Sequence, residues 1–287
     1  MQDTHYDSFA LRPLTPHIGA ELHGIDLSKP LDAQQEADVR RALRDWMVLA
    51  FRDQHLTRDE HKAFGRRFGR LHTHPMQKAG HRGRDPEILP VVTTGDSAYT
   101  AGDGWHTDVT CDPVPPFGSM LYVTETPECG GGDTLYADMS LAFELLSPPL
   151  QQFLEGLVAV HDGALPYVGA YKTKPPEGGY PRSKHPVVIR HPETGRKVLY
   201  VNSGFTSHIA GLSRSESRAI LDMLFRHIDS TPKLYCRVEW QPNTLTFWDN
   251  RCTQHHAVWD YQPYTRRGER VSVVDDRPPS FDPPEST

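Results

Sequence analysis

From Gly118 to Asp275 the chain carries a succession of short β-patterned runs, with glycine, proline or asparagine within or beside each. The runs are "GSMLYVTE" (118–125), "GDTLYAD" (132–138), "HPVVIRH" (185–191), "KVLYVNSGF" (197–205), "YCRVEWQPNTLTFWD" (235–249), "HHAVWDY" (255–261) and "ERVSVVD" (269–275). They are rich in the β-branched and aromatic residues that pack well on a pleated surface. Segments this short and this regularly punctuated fit a sandwich or barrel. Within the fifth, "QPNT" reads as a hairpin turn. Upstream, 9–27 reads as short strands with turns and 47–52 as a buried strand. Two stretches fit no period. The first is "GALPYVGAYKTKPPEGGYPRSK" (163–184), a candidate lid with Gly163, Gly169, Gly178 and Gly179 as hinges. The second is the tail 277–287, expected to fray.

Three helices interrupt the pattern. Asp32 with Gln35, Thr57 with Glu60 and Ser213 with Glu216 each spell a capping box ahead of an apolar stripe. The expectation is a single domain over 1–287 with a core of about 9–276, mostly β with a few helices flanking a sheet.

Composition removes several function classes. The formal net charge is −6 with no basic stripe, which argues against a nucleic-acid partner. No apolar run approaches the ~20 residues that span a bilayer, and the first residues lack the pattern of a secretory signal. Cys111, Cys129, Cys236 and Cys252 form no C-x-x-C, which excludes zinc-ribbon and redox motifs and suits a reducing, cytoplasmic setting.

The 16 histidines direct attention to metal chemistry. His-x-Asp occurs at His5/Asp7, His106/Asp108 and His227/Asp229. Side chains two apart share a face on a strand but diverge on a helix. His227 and Asp229 close a helix, and His5 and Asp7 lie near the terminus. His106 and Asp108 sit beside Val109 and Thr110, where an extended backbone lets both reach one ion. A distal partner is available in "TFWDNRCTQHHAVWDY" (246–261) as His255 or His256. Two histidines and a carboxylate on one side of an ion, with open positions opposite, form the facial triad of non-haem Fe(II) oxygenases, although zinc can take the same donors.

"YTRRGERVSVV" tests that idea. On a strand, Arg266 and Arg270 share one face while Arg267, Val271 and Val273 share the other. The valines assign their face to packing, so Arg266 and Arg270 point inward. A buried guanidinium needs an anion. Four residues of strand separate the two by about 13 Å, which suits two anions better than one. Ordinary salt bridges to Asp or Glu are the alternative.

Together, "WHTDVT", "GGDTLY", "HPVVIRHPETGRKVLYVNSGF" and "WDNRCTQHHAVWDY", followed by Arg266 and Arg270, resemble the taurine dioxygenase family, which includes 2,4-dichlorophenoxyacetate and alkylsulfatase-type dioxygenases. The likeness runs in order from "IGAELHGIDLSKPL" to Val274. It implies a double-stranded β-helix (jelly-roll, cupin-like) fold, Fe(II), and 2-oxoglutarate and O2 as cosubstrates. By motif position it implies His106, Asp108 and His255 as iron ligands, choosing His255 over His256. It also implies Thr134 and Arg266 as the hold on 2-oxoglutarate, and Arg270 and His74 as contacts to an anionic substrate head, with Phe205 and Tyr167 in the substrate pocket. Gln77 and Gly102 stand where the taurine pattern has Tyr and Asn, so the anion end is kept while the rest of the pocket is altered. The expected substrate is a small sulfonate, sulfate ester or carboxylate. An amino acid or natural-product intermediate is the alternative within the enzyme class, and a zinc hydrolase or cupin-like binding protein the alternative outside it. Members of the family are often dimers or tetramers.

Overall fold

The computed structural model describes residues 4–78, 80 and 85–282. Its elements run β1 (Ala10–Pro13), β2 (Ala20–His23), α1 (Ala33–Trp46), β3 (Val48–Phe51), α2 (Arg58–Arg66), α3 (Pro75–Lys78), β4 (Leu89–Thr93), β5 (Pro116–Glu125) and β6 (Thr134–Asp138). There follow α4 (Met139–Glu144), α5 (Pro148–Leu154), β7 (Val158–Asp162), β8 (Arg182–Pro186), β9 (Val188–Arg190), β10 (Lys197–Leu199), β11 (Thr206–Ile209) and α6 (Arg214–Asp229). The last strands are β12 (Tyr235–Val238), β13 (Thr244–Asp249), β14 (Thr253–Ala257) and β15 (Arg266–Val274).

The three capping boxes form as the sequence predicts. Asp32, Thr57 and Ser213 each accept from the backbone of the third helical residue, whose side chain bonds back to the cap. Two free N–H groups are thereby satisfied at the start of α1, α2 and α6. The shorter α3, α4 and α5 have no such signature and were not expected.

The strands make one large sheet, ordered β1-β2-β3-β13-β5-β15-β4, and a smaller one, β12-β6-β14. A further sheet, β11-β7-β8, and the β9–β10 pair complete the set. Every pairing is antiparallel except β2–β3. On the outer face of the large sheet, Trp46 of α1 and Phe64 of α2 bury against Phe51, Phe247, Val271 and Val273. Phe68 stacks edge-on to Phe247 with ring centroids 4.8 Å apart. A second core, including Trp248, Tyr136, Val188 and Leu224, joins the smaller sheets to α6.

Alternation on β15 is as expected. Val271 and Val273 are fully buried towards α2, and Arg267 turns out to pair with Glu125 at 3.0 Å. The register against β5 shifts at Arg267/Gly268 while the pairing with β4 stays regular, so the bulge leaves the facing of β15 intact.

Three expectations need correction. "QPNT" is a turn, with Asn243 at φ 63, but not a hairpin: β12 pairs with β6 in the small sheet and β13 with β3 and β5 in the large one. The stretch 163–184 is not wholly irregular. It opens with a π-helical turn, Leu165–Ala170, and its last residues enter β8, paired with β7. The tail is ordered over 277–282, where Arg190 N–H bonds to the Ser280 carbonyl at 2.8 Å and Phe281 packs on the second core. Residues 283–287 lie outside the described residues.

Candidate active site

His106 and His255 meet across an isolated antiparallel bridge, each backbone N–H bonding to the other's carbonyl at 3.0 and 2.8 Å. This places their rings 4.0 Å apart. Thr107 faces the other way, its hydroxyl donating to the Thr253 carbonyl. The extended run ends there, and Asp108 begins a turn. Asn250, just past β13, holds that turn: its side-chain oxygen accepts from Asp108 N–H at 2.8 Å, and its amide donates to the Asp108 and Pro116 carbonyls. Val109 follows at φ 52, fully buried. A β-branched residue in that region is strained, and the strain sits beside the site.

The Asp108 Oδ1 atom lies 3.9 Å from Nε2 of both His106 and His255. A metal with bonds of about 2.1 Å needs its donors roughly 3–3.5 Å apart, so small side-chain shifts close this set around one ion. Protonation suits the same purpose. Burial lowers the His106 and His255 pKa values, keeping both imidazoles neutral donors. Burial alone would raise the Asp108 carboxyl, but the Arg270 guanidinium beside it, with the Ser119 hydroxyl, outweighs this and holds the group below the usual range. The Gly104 carbonyl lies 2.9 Å from His106 Nδ1, which fixes the ring and leaves Nε2 free. Ser119 Oγ donates to Asp108 Oδ2 at 2.8 Å and contacts Ser272 Oγ at the same distance. Neither serine was singled out from the sequence. Ser272 lay within reach, since it shares the Arg266/Arg270 face of β15; no pattern marks Ser119.

Neither competing His-x-Asp pair gathers a third donor among the described residues. His5 and Asp7 meet at 3.4 Å but are exposed. His227 Nε2 lies 2.9 Å from the Ala142 carbonyl, while Asp229 accepts from Trp105. His256 turns away from His255 to meet Asp103 at 3.1 Å. A second buried donor group, His191, Asp249 and Cys252, is spoken for: Arg251 and His191 both bond to the Asp249 carboxylate.

A cavity of about 420 Å³ opens beside the three donors, between β4, β5, β13 and β15 on one side and β6 and β14 on the other. Arg266, Arg270, Thr134, His74, Tyr167, Phe205 and Gly102 all line it. Arg266 is 2% exposed, and among the described residues it has no carboxylate partner; it donates to the Gly132 carbonyl and lies near the Tyr261 ring. The salt-bridge alternative therefore fails for Arg266. The Thr134 hydroxyl accepts from Trp240 Nε1 at 3.0 Å, which leaves its own proton to donate into the cavity. Arg270 bonds to Asp108 through one Nη, while its Nε is buried without a partner.

At the other end, Tyr167 Oη and His74 Nε2 lie 3.3 Å apart, and Phe205 packs edge-on against Tyr167. His72 does not join them; it pairs with Asp112 at 3.1 Å. Gln77 departs from expectation. It does not line the cavity, because its amide donates to the backbone carbonyls of Ile88 and Asp85. Gly102 does more than leave space. At φ +88, a Cβ there would stand 3.0 Å from His106 Cε1.

The model of the taurine catabolism dioxygenase TauD, TfdA family matches residues 10–272. The chain belongs to the TauD/TfdA family. Among its relatives in that family, the α-ketoglutarate-dependent sulfonate dioxygenase of Saccharomyces cerevisiae is 34% identical over 285 residues, 93% of this chain and 67% of the yeast protein. An alkylsulfatase of Acinetobacter baylyi is 37% identical over 276 residues, 92% of this chain and 84% of that one. The solved structure of a taurine dioxygenase from Burkholderia xenovorans superposes with a TM-score of 0.80 at 37% identity, covering 94% of this chain and 92% of that one. This TauD/TfdA member is accordingly a 2-oxoglutarate-dependent dioxygenase, sheet-rich with flanking helices. No helix among the described residues is long and apolar enough to cross a membrane.

Proposed function

We propose that this chain binds Fe(II) through His106, Asp108 and His255, and 2-oxoglutarate through Thr134 and Arg266, in order to hydroxylate a C–H bond of a small anionic substrate. The observation that carries the reading is Arg266: a buried cation without a carboxylate partner, beside a free hydroxyl donor, in the same cavity as a facial donor triad. The two facing sheets are read as the double-stranded β-helix in which such triads sit. When bound, Fe(II) with 2-oxoglutarate and O2 supplies oxidative decarboxylation to succinate and CO2 and delivers one oxygen atom to the substrate carbon. The chain holds the distal carboxylate of 2-oxoglutarate, places one C–H near the metal, and keeps water out.

Arg270 and His74, with Tyr167, are assigned to the substrate's anionic head. Met76, Leu89, Val91, Leu121 and Phe205 would surround its body. Apart from Asp108, the acid lining the cavity is Asp103, already paired with His256. An ammonium such as taurine's would find no free carboxylate, so an anion with an apolar body fits best: an alkyl sulfonate, a sulfate ester or a carboxylate. Hydroxylation at a carbon bearing sulfonate or sulfate collapses to a carbonyl and releases the head group.

The test is succinate release from 2-oxoglutarate across a panel of these anions. His106→Ala, Asp108→Ala and His255→Ala should each abolish it, and turnover retained in any one would overturn the triad. Anaerobic Fe(II) with 2-oxoglutarate should give a visible charge-transfer band, absent if the metal is zinc.

A further inference from the structure

Two loops wall the mouth of the cavity and come from distant parts of the chain. One carries Ala101 to Gly104 and leads into His106; the other carries Leu165 to Tyr171 and presents Tyr167. Tyr171 joins them. Its phenol oxygen accepts from the Gly102 N–H at 2.9 Å. Its ring stacks on Tyr99 with centroids 4.8 Å apart and planes 15° from parallel. We propose that Tyr171 is a positioning residue for the primary substrate, strapping the segment that bears Tyr167 to the loop that bears His106. The proposal rests on the dioxygenase reading above.

Both ends of the strap are built to transmit position. Gly102 is held a second time, its carbonyl accepting from the N–H of Ala257, two residues past His255 on β14, at 2.9 Å. Because a Cβ at Gly102 would crowd His106, this loop cannot wall the cavity with a side chain of its own there. Tyr171 supplies the wall from the opposite loop. On its own side, Tyr171 N–H bonds to the Pro166 carbonyl at 2.8 Å, and Thr173 bonds twice to the Tyr167 carbonyl, by N–H at 2.9 Å and hydroxyl at 2.6 Å. The Thr173 hydroxyl also lies 3.0 Å from Tyr180 Oη. Tyr167 is thus fixed to the residues flanking Tyr171, and its hydroxyl reaches His74. A shift of Tyr171 moves the proposed head contacts relative to the metal donors. It leaves Thr134 and Arg266, on β6 and β15, where they are.

Tyr171→Phe keeps the ring stack and removes the acceptor; Tyr171→Ala removes both. In Tyr171→Phe, amide hydrogen exchange at Gly102 should quicken about five- to tenfold, the size of one lost hydrogen bond, with α1 and α6 unchanged. The KM for the primary substrate should rise by a similar factor, with more 2-oxoglutarate consumed per product and an unchanged KM for 2-oxoglutarate. Tyr171→Ala should exceed it in each readout. An unchanged substrate KM and coupling in both variants would overturn the strap, and so would equal rises in the two KM values, which would mark a general structural role. Absence of 2-oxoglutarate turnover in the unmodified protein would instead sink the dioxygenase reading.

Discussion

Arg266 and Arg270 lie four residues apart on one face of β15 and meet different surroundings: a backbone carbonyl for the first, the Asp108 carboxylate for the second. Arg266→Ala should raise the 2-oxoglutarate KM by at least tenfold, since a charge-assisted pair contributes about 1.5–3 kcal/mol. Arg270→Ala should leave that KM alone, weaken the primary substrate, and spare uncoupled 2-oxoglutarate decay. Steady-state kinetics in both substrates separates the two, and identical profiles would end the two-anion reading. Ser119→Ala removes the donor to Asp108 Oδ2. It should loosen Fe(II) binding roughly 10–100-fold, read by anaerobic metal titration, because outer hydrogen bonds orient ligating groups. At this scale the sequence was informative wherever alternation governs. Parity separated Arg266 and Arg270 from Arg267. It picked the right His-x-Asp pair for a reason the structure does not keep, since the backbone expected to be extended through Val109 and Thr110 turns at Asp108. It could not see Ser119, on β5, or Trp240, just past β12, which reach the site from elsewhere in the chain. Nor could it tell that Gln77 spends its amide on neighbouring carbonyls.

At the scale of elements, what could be read was what local chemistry decides. Capping boxes placed the starts of α1, α2 and α6 to within a residue, because cap and partner lie three apart in sequence. Two helix starts offer a test. The Ser213 hydroxyl caps α6, whereas Ser147, ahead of α5, makes no side-chain cap bond. Ser213→Ala should destabilise the protein by about 1 kcal/mol and Ser147→Ala by much less, measured by denaturant titration. Equal losses would mean the cap bond is not the source. The turn at "QPNT" shows the limit of local reading. Its chemistry is right, with Asn243 left-handed, yet its two strands pair in different sheets. Strand partners are chosen by burial across the whole molecule, which no four-residue window contains.

Across the whole molecule, the β-rich class followed from the spacing of strands and turns, while the division into a seven-stranded and a three-stranded sheet around the cavity did not. That division buries histidines that do not line the cavity, and their burial predicts an acid dependence of stability. His61, on α2 against β5, is pulled down to about 4 by burial, and its Nε2 lies 3.2 Å from the Met120 carbonyl. His161, on β7, is pulled down to about 3, again by burial first. An unfolded histidine titrates near 6.5. Between that value and the folded one, the unfolded chain binds more protons, so each group's contribution is present in full above about 6.5 and is lost as pH falls. Asp275 runs the other way, pushed up to about 6 by burial. Between the usual carboxyl value near 4 and about 6 the folded state holds its extra proton, so one carboxyl opposes two histidines. For these three groups taken together the balance is one proton, so their joint contribution to stability falls between pH 6 and 4 by on the order of 1.4 kcal/mol per unit, and His106, His185 and His255, also lowered by burial, act in the same direction. His61→Gln keeps a donor for the Met120 carbonyl and cannot ionise. It should flatten the slope of unfolding free energy against pH by close to one proton over that window. An unaltered slope in urea titrations at stepped pH would show that His61 is not the group taking up the proton.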